Sequence, residues 1–173
     1  MLKRTHMCGE LRETHIGTEA VLAGWINTYR DQGKGLIFVD LRDRDGMTQV
    51  VFDLEDADPQ TVEAARQLRR EDVVAIRGTV RRREGKANDR LATGAIELMA
   101  VQLEVLAKTD TPPILPDEHD AERIAEEKRL QYRYIDLRRP RMQRILRVRN
   151  QVARAARDYF GDQGFLEVET PFL

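Results

Sequence analysis

The chain has 173 residues, a formal net charge of −1 and 41% hydrophobic residues, enough for one complete domain and part of another. A single cysteine, Cys8, excludes an intrachain disulfide and a cysteine-based metal cluster, and His6, His15 and His119 lack ligand spacing. No apolar stretch follows the N-terminal MLKRTH and none reaches membrane-spanning length, so a cytosolic chain is expected.

In chain order, residues 1–20 read as a lead-in with one helical turn near Leu11. Residues 21–30 (VLAGWINTYR) form the first expected strand, with Trp25 a packing residue, and 30–35 a polar, glycine-rich loop. Gly33 and Gly35 do not make a phosphate loop, since no GKS/T follows and no helix opens there.

Strands two (36–43) and three (47–52) form a hairpin. Ile37, Val39 and Leu41 alternate with Leu36, Phe38 and Asp40, the period of a half-buried strand. Asp45-Gly46 is the pair favoured where a hairpin turn needs positive φ. The alternating charges of Asp40, Arg42, Asp43, Arg44 and Asp45 read as local ion pairs. With the aliphatic set facing a core, Phe38 shares the open face with Asp40, and Gln49 lies across the turn. An aromatic ring near an amide can stack a base and hydrogen-bond its edge. From the hairpin alone, a Phe covered by another segment is the plainer reading.

Strand order changes that. Pro59 opens a helical stretch with Val62, Ala65 and Leu68 at helix spacing; strand four is 73–82 and strand five 96–106. Three strands, a helix and two strands are the order of an OB-fold, a five-stranded Greek-key barrel with a helix between strands three and four. That fold binds oligonucleotides on its strand 2–3 face and with its 1–2 and 4–5 loops. Here those loops are 30–35 and 83–93, both carrying glycine and basic residues. Arg81, Arg82, Arg83, Lys86 and Arg90 cluster beside the second.

Pro112, Pro113 and Pro116 mark a linker, and 117–130 runs from acidic to basic as a helix dipole favours. Pro140 starts a helix to 160 with Ile145, Val148, Val152, Ala156 and Tyr159 on one face, and Gly161 and Gly164 offer a stop. Residues 165–169 (FLEVE) then read as a strand ended by Pro171. The stretch from Arg138 to Arg157 has many arginines and no acid, and reads as a solvated face. The expected domains are an OB barrel at 1–108, a hinge at 109–139 and, at 140–173, a helix and strand opening a second domain.

The chain resembles the N-terminal part of bacterial-type aspartyl-tRNA synthetases. The resemblance rests on RTHMCGEL at 4–11, GWI at 24–26, GLIFVDLRDRDGMTQVVF at 35–52, ATGAIEL at 92–98 and YRYIDLRRPRM at 132–142. GFLEVETPFL at 164–173 looks like motif 1 of class II synthetases, which builds a homodimer interface and would involve Gly164, Phe165 and Pro171. The resemblance implies that the barrel holds the anticodon loop of tRNA-Asp, or also tRNA-Asn. Phe38 would stack on the central uracil and Gln49 bond its edge; Glu97 would contact the first base, a guanine. Arg30 would act from the first loop, and Arg83 and Asn88 from the loop that reads the third base.

The whole enzyme would activate aspartate with ATP and magnesium and esterify it to tRNA. The Arg-containing motif 2 and Gly-rich motif 3 are not among these 173 residues, so no catalytic residue is assigned and no adenylation is expected from them. The competing readings are a freestanding OB-fold nucleic-acid binder without ligase activity and a protein-interaction module. Motifs 2 and 3 downstream in the reading frame would exclude the former; RNA affinity unchanged by Phe38→Ala would favour the latter.

Overall fold

The computed structural model describes residues 1–110, 112–116 and 124–171. They form two units, Met1–Pro112 and Pro113–Leu173.

In the first unit, a 3₁₀ turn at Glu13–His15 precedes β1 (Glu19–Asp31), β2 (Leu36–Arg42), β3 (Met47–Asp53), α1 (Pro59–Arg66), β4 (Val73–Arg82) and β5 (Ile96–Ala107). The strands close into a barrel in the order β1-β2-β3-β5-β4, as the OB-fold expectation requires. The long β1 serves two neighbours: residues 19–25 pair with β4 and residues 25–31 with β2, with a register irregularity between Ile26 and Thr28. Closure comes from a short parallel contact, Val50 with Leu98 and Val51 with Met99. Where the β4–β5 register shifts, a Cβ on Gly78 would lie 2.1 Å from the Met99 carbonyl oxygen, so only glycine permits that approach.

Alternation along each strand sends Leu22, Ile26, Ile37, Val39, Leu41, Val50, Phe52, Ile76, Ile96 and Leu98 inward, all essentially inaccessible. α1 covers this core with Val62 and Ala65, and Leu68 follows just beyond its end. Its start is written locally: the Asp58 carboxylate accepts the Gln60 N–H at 3.1 Å, and Pro59 occupies the first turn, where its missing N–H costs nothing.

The hairpin turn departs from expectation. Neither Asp45 nor Gly46 has positive φ. Arg42 pairs with Met47, so the loop has four residues and does not need the primed two-residue turn. Asp43 closes it by accepting the Asp45 and Gly46 N–H groups at 2.8 and 3.1 Å. Gly46 is needed for space, because a Cβ there would sit 2.6 Å from the Gly9 Cα. The lead-in is stitched to this turn. Cys8 N–H donates to Asp43 at 2.7 Å, and the Thr48 hydroxyl donates to the Cys8 carbonyl at 2.6 Å.

Of the local ion pairs expected around the turn, Arg44 with Asp45 is formed. Arg42 instead reaches Glu71, 29 positions away, through two bonds of 2.8 and 3.0 Å, because both flank β1: Arg42 pairs with Trp25, and the Glu71 N–H donates to the Ile26 carbonyl at 2.8 Å.

Burial, reinforced by the Asp43 carboxylate, pushes the Cys8 thiol far up. Iodoacetamide should therefore label Cys8 slowly in the folded chain and fully in urea; rapid labelling of the native chain would contradict this packing.

The second unit carries α2 (Glu126–Gln131), α3 (Arg133–Asp136) and α4 (Pro140–Asp162). The residues of the expected 117–130 helix before 124 lie outside the described residues. Asp136 is buried and accepts from Arg133 at 2.6 Å and Arg139 at 2.8 Å. α4 ends in a Schellman motif: Gly164 has φ +82°, its N–H donates to the Gly161 carbonyl at 2.9 Å, and the Phe165 N–H donates to the Phe160 carbonyl at 3.0 Å. The Phe160 and Phe165 rings meet edge-on with centroids 5.6 Å apart. Gly161 therefore stays inside the helix, and Gly164 alone provides the stop. The strand expected at 165–169 is not formed. A strand needs a neighbour for its N–H and C=O groups, and among the described residues none pairs with this segment. Among those residues no helix is long and apolar enough to cross a membrane.

Candidate nucleic-acid interface

The registers place two rows of outward side chains across the barrel. Arg30 pairs with Phe38, Phe38 with Val51 and Val51 with Met99. Two positions along, Thr28 pairs with Asp40 and Asp40 with Gln49; Glu97 follows on β5, paired with Arg81 on β4. The first row offers the partly exposed Phe38 ring. The second is a continuous polar network drawn from all five strands.

Each bond of that network has a direction. The Thr28 hydroxyl donates to Asp40. Arg30 lies 3.5 Å from Asp40 and donates to Gln49 Oε1 at 3.1 Å. Gln49 Nε2 donates to Glu97 Oε2 at 2.7 Å, and Arg81 Nε donates to Glu97 Oε1 at 2.9 Å. Arg81 is itself held by Glu84 at 3.3 Å and Asp56 at 3.9 Å. Glu97 is 0% exposed and Gln49 3%. Burial of a carboxylate is tolerable only with such partners, since desolvation would otherwise cost several kcal/mol, a large part of a typical domain's stability. The Gln49 amide is consequently oriented: a guanidinium holds its oxygen and a carboxylate its nitrogen, leaving one N–H and one lone pair uncommitted.

Arg30, Phe38, Gln49 and Glu97, picked from sequence, thus converge on one face. Arg83 and Asn88 lie in the adjoining loop between β4 and β5. Among the described residues the Arg83 side chain makes no ion pair or hydrogen bond. Asn88 shapes the loop: its Oδ1 accepts the Arg90 N–H at 3.1 Å, and its backbone bonds Gly94 and Leu91 at 3.0 Å each. Its Nδ2 donors and one Oδ1 lone pair stay uncommitted among those residues. The 1–2 loop is held by Asp31, which accepts the Gly33 N–H at 2.7 Å, and Gly33, Lys34 and Gly35 all have positive φ. Gly164, Phe165 and Pro171 lie in the second unit, away from these strands in sequence and exposed.

Sequence reasoning missed Arg81 as the partner of Glu97, reading it as one of a basic cluster. Alternation along β4 puts Thr79 and Arg81 on one face, a signal that singles out Arg81 once the β5 register is known.

Known proteins share the sequence pattern and the fold. Residues 20–106 match the model of the OB-fold nucleic acid binding domain, and residues 125–173 that of class II tRNA synthetases (D, K and N). The chain is 53% identical to the aspartate–tRNA(Asp/Asn) ligase of Anaeromyxobacter dehalogenans over 99% of its own length and 28% of that protein's. It is 48% identical to the aspartate–tRNA ligase of Listeria monocytogenes over 100% of its own length and 29% of that protein's. The solved asparaginyl-tRNA synthetase of Pyrococcus horikoshii superimposes with a TM-score of 0.82 at 30% identity, covering 99% of this chain and 37% of that one. The chain thus spans well under a third of the curated relatives it matches.

Proposed function

The chain belongs to the family of OB-fold nucleic-acid-binding domains, and we propose that its barrel reads the anticodon of tRNA-Asp for an aspartate–tRNA ligase. The observation that carries this reading is the single outer face on which a partly exposed Phe38 lies beside Arg30, Gln49 and Glu97. Phe38 offers the stacking surface for the central uracil. Gln49 retains one donor and one lone pair, which suits a base edge that both donates and accepts. Glu97, an acceptor, suits the N1 and N2 donors of guanine, and Arg83, a donor, suits the acceptors of cytosine or a phosphate. Similarity along the whole chain to aspartate–tRNA ligases supports the choice of RNA.

For the whole ligase we propose aspartate activation with ATP and magnesium. Among the described residues no group of three His, Cys, Asp or Glu is placed to hold a metal ion, and no step of that chemistry is assigned to them. Gly164, Phe165 and Pro171, with the exposed Ile145, Val148 and Val152 of α4, are proposed for the homodimer interface. The residues from 109 to 139 are proposed as the hinge, and the cytoplasm as the compartment.

Fluorescence anisotropy with an anticodon stem-loop of tRNA-Asp, and with variants at each anticodon base, tests the reading. The expected result is tightest binding to the tRNA-Asp loop, with the third-base variant reporting on tRNA-Asn. Gln49→Ala should relax preference at the central base more than it lowers affinity. Indiscriminate binding to all loops would leave only a general OB-fold binder.

A further inference from the structure

We infer that Gln49 and Glu97 read adjacent bases as one coupled unit, with Arg81 the positioning residue that holds the unit together. This rests on the anticodon reading above. The Gln49–Glu97 bond of 2.7 Å joins the side chain assigned to the central base to the one assigned to the first. Two independent readers would not need to touch. Here the amide that faces one base is oriented by the carboxylate that faces the next.

Burial makes the coupling obligatory. Gln49 and Glu97 are both essentially inaccessible, so neither can approach a base without shifting the bond they share. Each Glu97 oxygen already has a partner, Gln49 on one and Arg81 on the other. The Arg81 side chain is 29% exposed and anchored from outside by Glu84 and Asp56, so it can follow Glu97 while keeping its charge compensated. Arg30 performs the matching task at the other end, linking Gln49 to Asp40. A base that engages Gln49 therefore changes the position of Glu97, and by linkage the reverse holds equally.

The test uses the whole 173-residue chain and four RNA stem-loops: the tRNA-Asp anticodon loop and single replacements of its first, central and third bases. Gln49→Asn keeps an amide too short to reach Glu97. It should lower discrimination at the first base about tenfold, although Gln49 is assigned to the central one. Glu97→Gln should lower discrimination at the central base by a similar factor. Arg81→Lys keeps the charge but loses the planar fork, and should lower discrimination at both positions while leaving the third unchanged. Thermal melts establish that each variant is folded; if one is not, the remaining two carry the test.

If Gln49→Asn costs discrimination at the central base alone, and Glu97→Gln at the first alone, the two read independently. The coupling is then wrong while the anticodon reading stands. Equal losses on all four loops would mean a purely structural network, which also overturns the coupling. A wild-type chain that discriminates none of the bases overturns both.

Discussion

Phe38→Ala should weaken binding of the tRNA-Asp anticodon stem-loop roughly ten- to a hundredfold, because stacking a base on an aromatic ring is worth about 1–3 kcal/mol. The ring is partly exposed on the outer face of β2, between Arg30 on β1 and Val51 on β3. Losing it removes little core contact, so the melting temperature should move by only a few degrees. Anisotropy titrations at fixed salt measure the effect. Fixed salt matters because any attraction of Arg30 and Arg83 to phosphates would be weakened by salt whatever the base sequence. Affinity unchanged within twofold would remove the stacking role.

Phe52→Ala should show the opposite pattern. Phe52 is on the same hairpin, opposite Ile37, but points inward and is 0% exposed. Truncating a buried Phe to Ala costs about 3–5 kcal/mol, through lost transfer energy and the cavity left behind. Against a typical stability of about 5–15 kcal/mol, that is a large fraction of what holds a domain folded. Urea unfolding should show a much lower midpoint with little change in slope. Where the variant remains folded, its RNA affinity should stay close to that of the parent. A loss below about 1 kcal/mol would mean that the core collapses around the missing ring. Phe38 and Phe52 thus separate function from stability within one supersecondary element.

Much of this was legible in the residues. Alternation over 36–42 assigned Ile37, Val39 and Leu41 to the core and Phe38 to the open face, because a strand's side chains alternate whatever it pairs with. Pro59 and Pro140 placed two helix starts, since a proline fits the first turn of a helix whatever the rest of the chain does. The errors fell where distant residues decide. Asp45-Gly46 looked like a primed turn, but loop length and the approach of Gly9 set its geometry. Arg42 looked like a partner for its neighbours and paired with Glu71 instead. Residues 165–169 have strand composition, but composition cannot supply a neighbouring ladder.

The order of the elements, the inward set of the β2–β3 hairpin and the placing of Phe38 and Gln49 on its other face follow from the amino-acid sequence, since each depends on the period of a strand and the chemistry of a turn. The pairing of Gln49 with Glu97, and of Glu97 with Arg81, does not. Those residues come from β3, β5 and β4, separated by up to 48 positions, and meet only because the parallel Val50–Leu98 contact closes the barrel in one register. A slip of one residue would turn Glu97 inward and Leu98 outward. Closure therefore decides that the amide and the carboxylate share a bond, on which the proposed coupling of the two residues rests.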